Sequence, residues 1–124
     1  MRDGINEPDI IFRQQAICTK YGSAFLPSPF NSIIGVAVET FDDSSKIIHG
    51  LRHPVEDENF SSWYIWAGEY SSSPDFFKPM HVEHILELNP KITLYLGLQP
   101  GWRFLFDNSY EDVWFDENLL QLKG

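Results

Sequence analysis

The sequence of 124 residues has little cysteine, little positive charge and no long apolar run. Its single cysteine, Cys18, excludes an internal disulfide framework. The longest apolar candidate, Ser32–Val38, has about the length of one strand and is far below the roughly 18 residues of a membrane span. Residues Met1–Pro8 carry charge and a glycine where a signal peptide needs an apolar run. We therefore expect a cytoplasmic protein of one domain, residues 1–124, with no membrane partner.

Positive charge is scarce, since 9 lysines and arginines stand against 18 aspartates and glutamates, for a formal net charge of −9. Phosphate backbones attract clustered basic residues, and the basic residues here are scattered, so we expect no nucleic-acid partner. An acidic surface favours solubility and speeds the encounter with a basic protein. Charge alone does not choose between a merely soluble acidic protein and one that binds a basic partner.

Apolar spacing predicts one amphipathic helix followed by strands. The helix begins near Asn6, a capping residue, ends near Gly22, and carries Cys18 on its apolar stripe as a packed thiol. The predicted strands are Ile33–Phe41, Lys46–Arg52, Trp63–Tyr70, Trp102–Phe106 and Asp112–Phe115. The first two are predicted to form a hairpin.

The remaining segments are predicted as helices, turns and loops. Pro79–Leu88 and Asn89–Gly97 are predicted as short helices, Gln99–Gly101 as part of a type II turn, and Pro54–Ser62 as a polar surface loop. Strands and helices do not alternate as they do in a parallel βαβ array. We therefore predict an α+β fold, an antiparallel sheet with helices packed mainly on one face.

Candidate catalytic and metal-binding residues are few. His81 and His84 share a helical spacing that suits one ion, but no third ligand lies at a diagnostic distance in the sequence. His49 and His53 flank Arg52, a pattern that would suit a general base beside a carboxylate-binding guanidinium. Strand periodicity, however, places Arg52 on the opposite face from both histidines. Glycine-rich phosphate loops and a GxSxG elbow are absent from the sequence. We predict no enzyme, no metal and no cofactor.

Two acidic pairs bracket the apolar sequence Val113–Phe115. Acidic side chains around an aromatic anchor suit a basic protein partner. The predicted partner-binding residues, called the acidic rim below, are Glu111, Asp112, Asp116 and Glu117. Two alternatives remain for them: the acid and base of a hydrolase, or the polar ends of a structural strand around a buried tryptophan.

Three tryptophans, Trp63, Trp102 and Trp114, lie in predicted strands that are rich in aromatic residues. We predict that all three are mostly buried and that they hold the sheet to its helices.

A series of motifs in the second half of the chain is more specific than any pair of residues. It comprises Gly50-Leu51-Arg52-His53-Pro54, Trp63-Tyr64-Ile65-Trp66-Ala67-Gly68-Glu69, Asp75-Phe76-Phe77, Pro79-Met80-His81-Val82, Tyr95-Leu96-Gly97-Leu98, Pro100-Gly101-Trp102-Arg103-Phe104-Leu105 and Tyr110-Glu111-Asp112-Val113-Trp114-Phe115-Asp116. In order and spacing the series resembles the bacterial polymorphic-toxin immunity proteins of group thirty-three, earlier known only as a domain of unknown function. The resemblance covers about Gly50 to Leu120.

This resemblance implies a cytoplasmic antidote that binds and silences a cognate protein toxin, and it carries over no catalytic residues. A basic toxin would suit the charge of −9. Two other functions stay open: a general peptide- or protein-binding module, favoured by an exposed apolar groove or open sheet edge, and a small metal-dependent hydrolase, favoured by a bound metal or deep polar cleft.

Overall fold

A computed structural model describes residues 7–43 and 45–121 as one sheet with helices against it. The named elements are α1 (Glu7–Tyr21), β1 (Ile33–Val36), β2 (Ile48–Arg52), β3 (Phe60–Ala67), β4 (Lys78–His81), α2 (Ile85–Leu88), β5 (Trp102–Phe106) and β6 (Glu111–Phe115). Short 3-10 helices span Val38–Thr40, Val82–His84, Pro90–Tyr95 and Glu117–Leu120. The predicted N-cap at Asn6 lies outside the described residues.

The six strands lie in the order β4-β1-β3-β2-β5-β6. Neighbouring strands are antiparallel except β1 and β3, which run parallel. The predicted α+β class with a mainly antiparallel sheet is confirmed. None of the helices in the described part of the chain combines the length and the apolar character that a membrane-spanning helix requires.

One face of the sheet is covered by α1 and by the helical run of residues 82–98. Helical spacing turns Ile10, Gln14 and Cys18 toward the sheet, and all three are buried. Gln14 Nε2 donates to the Thr93 carbonyl at 2.7 Å, and Cys18 Sγ donates to the Gly97 carbonyl at 3.3 Å. Cys18 is 3% exposed, which confirms it as a packed thiol, and its burial raises the pKa of the thiol.

The predicted hairpin of the first two strands is wrong, because β3 lies between β1 and β2. The chain leaves the sheet after Val36 in the 3-10 turn Val38–Thr40. Thr40 Oγ1 then accepts a hydrogen bond from the Ala67 N–H at 2.9 Å, which fixes this turn at the end of β3. With eight residues and core positions along its length, β3 occupies the centre, where it pairs on both sides.

The predicted helix at Pro79–Leu88 is wrong over its first three residues, 79–81. Lys78–His81 is the edge strand β4, paired antiparallel with β1. Proline has no N–H to donate, so Pro79 is tolerated at an edge, where one side of the strand has no neighbour. The helical run begins only at Val82.

The type II turn before β5 is consistent with the structure. Gly101 has a φ of +95°, and the Trp102 N–H donates to the Gln99 carbonyl at 3.2 Å. A left-handed conformation at the third position of the turn requires glycine.

Candidate partner-binding site

Aromatic residues occupy both faces of the central strand. On β3, Trp63 and Ile65 point into the core beneath the helices, and Tyr64 and Trp66 point to the other side of the sheet, called the open face below. The register of β2 places Leu51 beside Tyr64 and His49 beside Trp66 on that side. The open face is therefore not the polar, solvated surface that an antiparallel sheet commonly presents.

The connection from β3 to β4 folds back over the open face and brings more rings to it. Tyr70 packs edge to face on Trp66 with ring centroids 5.5 Å apart, and Phe77 packs edge to face on Tyr64 at 5.2 Å. Gly35 on β1 leaves room for the Tyr64 ring, because a Cβ at this position would lie 2.9 Å from Tyr64 Cδ1. The rings form a preformed layer, held by one another and by the strands beneath.

A groove with a volume of about 610 Å³ opens between this layer and the β2–β3 loop. Its volume is in the range of roughly 300–1,000 Å³ typical of ligand sites. Its apolar lining, which defines the aromatic groove, is Leu51, Phe60, Tyr64, Trp66, Tyr70 and Phe77. The polar side of the groove is formed by His53, Pro54, Glu56, Asp57 and Ser62.

The loop that forms the polar side is held in place at both ends. Asp57 Oδ1 accepts from the Asn59 N–H at 2.9 Å, and the Asp57 carbonyl accepts from the Phe60 N–H at 2.9 Å. Ser62 Oγ donates to the Pro54 carbonyl at 3.1 Å. Ser62 has a φ of +65° where the β1–β3 register is irregular, and such bulges commonly lie beside functional sites.

The electrostatics of the groove are one-sided. Glu56 and Asp57 are exposed carboxylates, and the described residues that line the groove include neither lysine nor arginine. Burial raises the pKa of Tyr64, so its hydroxyl stays neutral at pH 7. Burial, aided by the charge of Arg103, lowers the pKa of His49, which stacks on Trp66 as a neutral ring. The groove therefore offers neutral aromatic surface beside negative charge.

The structure does not bring the acidic rim together on one surface. Successive strand residues point to opposite faces, so Glu111 turns toward α1 and Asp112 toward the open face. Glu111 accepts hydrogen bonds from the hydroxyls of Tyr21 and Tyr95, both at 2.5 Å, and from Lys20 Nζ at 3.4 Å. Its carboxylate thus ties α1 and the 3-10 segment Pro90–Tyr95 to β6.

The other two acids of the rim differ from each other. Asp116 pairs with Arg103 at 3.1 Å and also accepts from the Asn118 N–H at 3.0 Å, whereas Glu117 is exposed. Partner binding by the acidic rim stays a prediction.

Of the three tryptophans predicted to be mostly buried and to hold the sheet to its helices, Trp63 fits in full, because it is 0% exposed and lies in the core. Trp102 and Trp114 are half-buried. Trp114 lies on the open face, where the Arg103 guanidinium sits 5.5 Å from its ring, and Trp102 begins β5 and packs edge to face on Phe115. Aromatic density in a strand therefore did not distinguish the two faces of the sheet.

Arg52 is 1% exposed and points into the core, away from both neighbouring histidines, as strand periodicity predicted. Its guanidinium donates to the carbonyls of Ser61, Leu26 and Leu98 at 2.9, 2.8 and 2.6 Å. Burial lowers the pKa of Arg52 to about 10, so it remains charged at neutral pH. The suggestion that Arg52 holds a carboxylate is wrong, because its guanidinium donates to main-chain carbonyls instead.

The histidines do not assemble a reactive site with their neighbours. His53 Nδ1 lies 3.3 Å from the Leu119 carbonyl. His81 lies on β4 rather than on a helix, with its ring centroid 6.0 Å from that of His84. Within residues 7–43 and 45–121, no three or more His, Cys, Asp or Glu side chains are grouped to hold a metal ion.

The fold and the groove define a small α+β domain with a preformed aromatic groove on one face of its sheet. The chain belongs to the Imm33-like domain family, whose model matches residues 13–116. The match confirms the resemblance to immunity group thirty-three and extends it into α1. A search of curated proteins and a search of solved structures each gave no match. Membership suggests an immunity protein, a non-enzymatic role and a cognate toxin as its partner.

Sequence reasoning missed the groove itself. The signal was present in Trp63–Trp66, where aromatic residues occupy both odd and even positions and so must reach both faces of the strand. The connection from β3 to β4 carries the aromatic residues Tyr70, Phe76 and Phe77. Because the helices cover the other face of the sheet, these residues could pack only on the open face.

Proposed function

We propose that this chain is a non-catalytic cytoplasmic antidote that binds a cognate protein toxin and blocks it for as long as the complex lasts. Membership of the Imm33-like family is the observation that carries this proposal. The aromatic groove supports it, because large rigid rings bury much area at little cost in side-chain entropy, and such residues are enriched at protein interfaces.

The groove favours binding over catalysis. Its two candidate reactive side chains, Ser62 and His53, both interact with main-chain carbonyls, those of Pro54 and Leu119. A nucleophile and its base need to be within hydrogen-bond reach of each other and of an orienting group. Its remaining lining is apolar or carboxylate, which suits recognition.

The groove also suits the alternative function, a general peptide-binding module. An immunity protein differs in selectivity, because it must bind one toxin tightly and leave other proteins alone. Family membership favours a toxin as the partner, and the aromatic groove is the toxin-binding surface in this proposal.

The test first looks for a toxin gene beside the gene for this chain and then titrates the activity of its product. A stoichiometric blocker abolishes toxin activity at about one equivalent, and activity returns when the complex is separated under denaturing conditions and the toxin is refolded. Co-expression should protect cells from the same toxin. An unrelated toxin, added at the same ratios, is the control and should keep its activity.

Two results would contradict the proposal. No protection and no inhibition would show that this toxin is not the partner and would remove the antidote function. Complete loss of toxin activity at a small fraction of one equivalent, growing with time, would show that the chain acts as a catalyst.

A further inference from the structure

We propose that the aromatic groove receives an arginine side chain of the bound toxin, with its guanidinium plane against the rings of Tyr64 and Tyr70 and its charge beside Glu56 and Asp57. This inference rests on the proposed function, because it names the chemistry of the partner at the same groove.

The rings supply the first part of the argument. Tyr70 is 61% exposed and is still anchored by its contacts with Trp66 and Phe76, whose ring centroids lie 5.5 and 5.6 Å away. An exposed ring that is already fixed loses little freedom on binding. A guanidinium stacks on such a face more readily than an ammonium does, because it is planar and weakly hydrated.

Charge supplies the second part. Glu56 and Asp57 are the charged groups among the described lining residues, and both are negative. The chain as a whole carries −9, so the long-range field also favours a cationic partner. Asp57 uses Oδ1 to hold the Asn59 N–H at 2.9 Å, and a carboxylate accepts further hydrogen bonds beyond one. A cation in the groove would meet two carboxylates and, among the described lining residues, no lysine or arginine.

The open face already holds one arginine in this manner. Arg103 lies over the ring of Trp114 at 5.5 Å, and its Nη1 donates to Asp116 at 3.1 Å. This fold therefore already holds one guanidinium with an aromatic ring and a carboxylate. The aromatic groove repeats the same two components, Tyr70 and Asp57, with both of them turned to solvent.

The first experiment uses short peptides, so that it does not depend on the toxin. Three acetylated and amidated pentapeptides, Gly-Ser-X-Ser-Gly with arginine, lysine or citrulline as X, are titrated into the labelled protein in low salt and followed by NMR. We expect saturable shifts at Tyr64, Trp66 and Tyr70 with the arginine peptide, weaker binding of the lysine peptide and none of the citrulline peptide.

The matched variants separate the groove from the acidic rim. The double variant Glu56→Gln with Asp57→Asn should weaken the affinity for the arginine peptide roughly 3- to 10-fold, as expected for the loss of two exposed ion pairs. Asn at position 57 keeps an acceptor for the Asn59 N–H, so the loop keeps its shape. Asp112→Asn with Glu117→Gln removes two charges from the rim and should leave the peptide affinity unchanged.

The same two variants are then tested on the toxin. The groove variant should slow association and reduce its dependence on salt. The rim variant tests the separate prediction that the acidic rim binds the toxin. The inference is wrong if the citrulline peptide binds as tightly as the arginine peptide, if no groove residue shifts, or if the folded groove variant associates like wild type. If one of these results is found and the wild-type protein still inhibits the toxin, only the arginine inference is overturned. Failure of wild type to inhibit the toxin overturns the proposed function instead.

Discussion

The two faces of one sheet use aromatic residues for different purposes. Trp63 and Trp66 are three residues apart on β3, and both are nearly inaccessible, at 0% and 5% exposure. Trp63 lies under α1 and the helical run of residues 82–98, where its Nε1 donates to the Leu96 carbonyl at 3.3 Å. Trp66 is covered by the side chains of His49, Tyr70 and Phe77. The aromatic layer that contains Trp63 is covered by helices, and the layer that contains Trp66 borders solvent.

This difference predicts how each face responds to substitution. Changes beneath the helices leave cavities or clashes that the surroundings cannot relieve, because interiors are close-packed. Changes on the open face meet side chains that can move into solvent. Stability should therefore depend mostly on the covered face, and partner binding mostly on the open one.

The largest expected effect is that of Trp63→Ala. Losing this buried ring should lower the free energy of unfolding by roughly 3–5 kcal/mol, a large share of the roughly 5–15 kcal/mol of a typical domain. Trp114→Ala, on the open face and half-buried, is the matched control and should cost less. Urea unfolding followed by circular dichroism measures both. Equal losses would remove the distinction between the faces.

A second pair of variants compares the faces through a single methyl group. A Cβ on Gly50 would clash with the buried ring of Phe104, and a Cβ on Gly35 would lie 2.9 Å from the half-buried ring of Tyr64. Gly50→Ala should cost about 1–3 kcal/mol, typical of overpacking. Gly35→Ala should cost less, because Tyr64 has solvent beside it. Thermal midpoints in the opposite order would contradict this account of packing.

A smaller effect, dependent on pH, is expected at Glu111. Burial acts to raise the pKa of Glu111, but hydrogen bonds from Tyr21, Tyr95 and Lys20 outweigh it, so the folded-state pKa is lowered. A lowered carboxyl pKa stabilises the fold above the unfolded value of about 4.3, and this contribution is lost as pH falls through the folded value.

Glu111→Gln should therefore lower stability by roughly 1 kcal/mol at pH 7, the difference between a charged and a neutral acceptor. The gap between variant and wild type should close as the pH is lowered from 6 toward 3. Glu117→Gln, at an exposed position, is the control and should stay within about 0.5 kcal/mol of wild type at pH 7. A gap for Glu111→Gln that is the same at pH 3 and pH 7 would show that its carboxylate charge does not hold α1 to β6.

Sequence patterns over a few residues predicted the helices, strands and turns better than they predicted which strands pair with each other. The residues of α1 and β5, and the turn at Gly101, follow from helical spacing, strict alternation and a proline–glycine pair, all of which act over a few residues. The strands that pair with β1 could not be predicted in this way. β3 lies between β1 and β2 because it is the strand that buries most side chains on both of its faces. The edge strand β4 was missed because Pro79 is compatible with a helix start and with a sheet edge.

The candidate site was harder to predict than the fold for a related reason. The acidic rim was chosen by nearness in sequence, yet alternation sends Glu111 and Asp112 to opposite faces. The groove is built from one stretch of the chain, which runs from Leu51 in β2 through Tyr64 in β3 to Phe77 in the connection to β4. The pairing of β2 with β3 and the folding back of the connection over the open face bring these side chains together, and no short motif encodes that folding back.

The smallest expected effect on stability comes from substituting two exposed tyrosines, one inside the aromatic groove and one outside it. Tyr70 in the aromatic groove is 61% exposed, and Tyr110 in the β5–β6 turn is 58% exposed. Tyr70→Ser and Tyr110→Ser should each leave the free energy of unfolding within about 0.5 kcal/mol of wild type, as surface changes usually do.

The dissociation rate of the toxin complex, measured for these two variants, tests the role of the open face most directly. Loss of an aromatic anchor at the centre of an interface costs about 2 kcal/mol or more, so Tyr70→Ser should dissociate at least about tenfold faster than wild type. Tyr110→Ser should dissociate like wild type. If the folded Tyr70→Ser variant keeps the wild-type rate, the aromatic groove does not hold the toxin and the division of labour between the two faces is wrong.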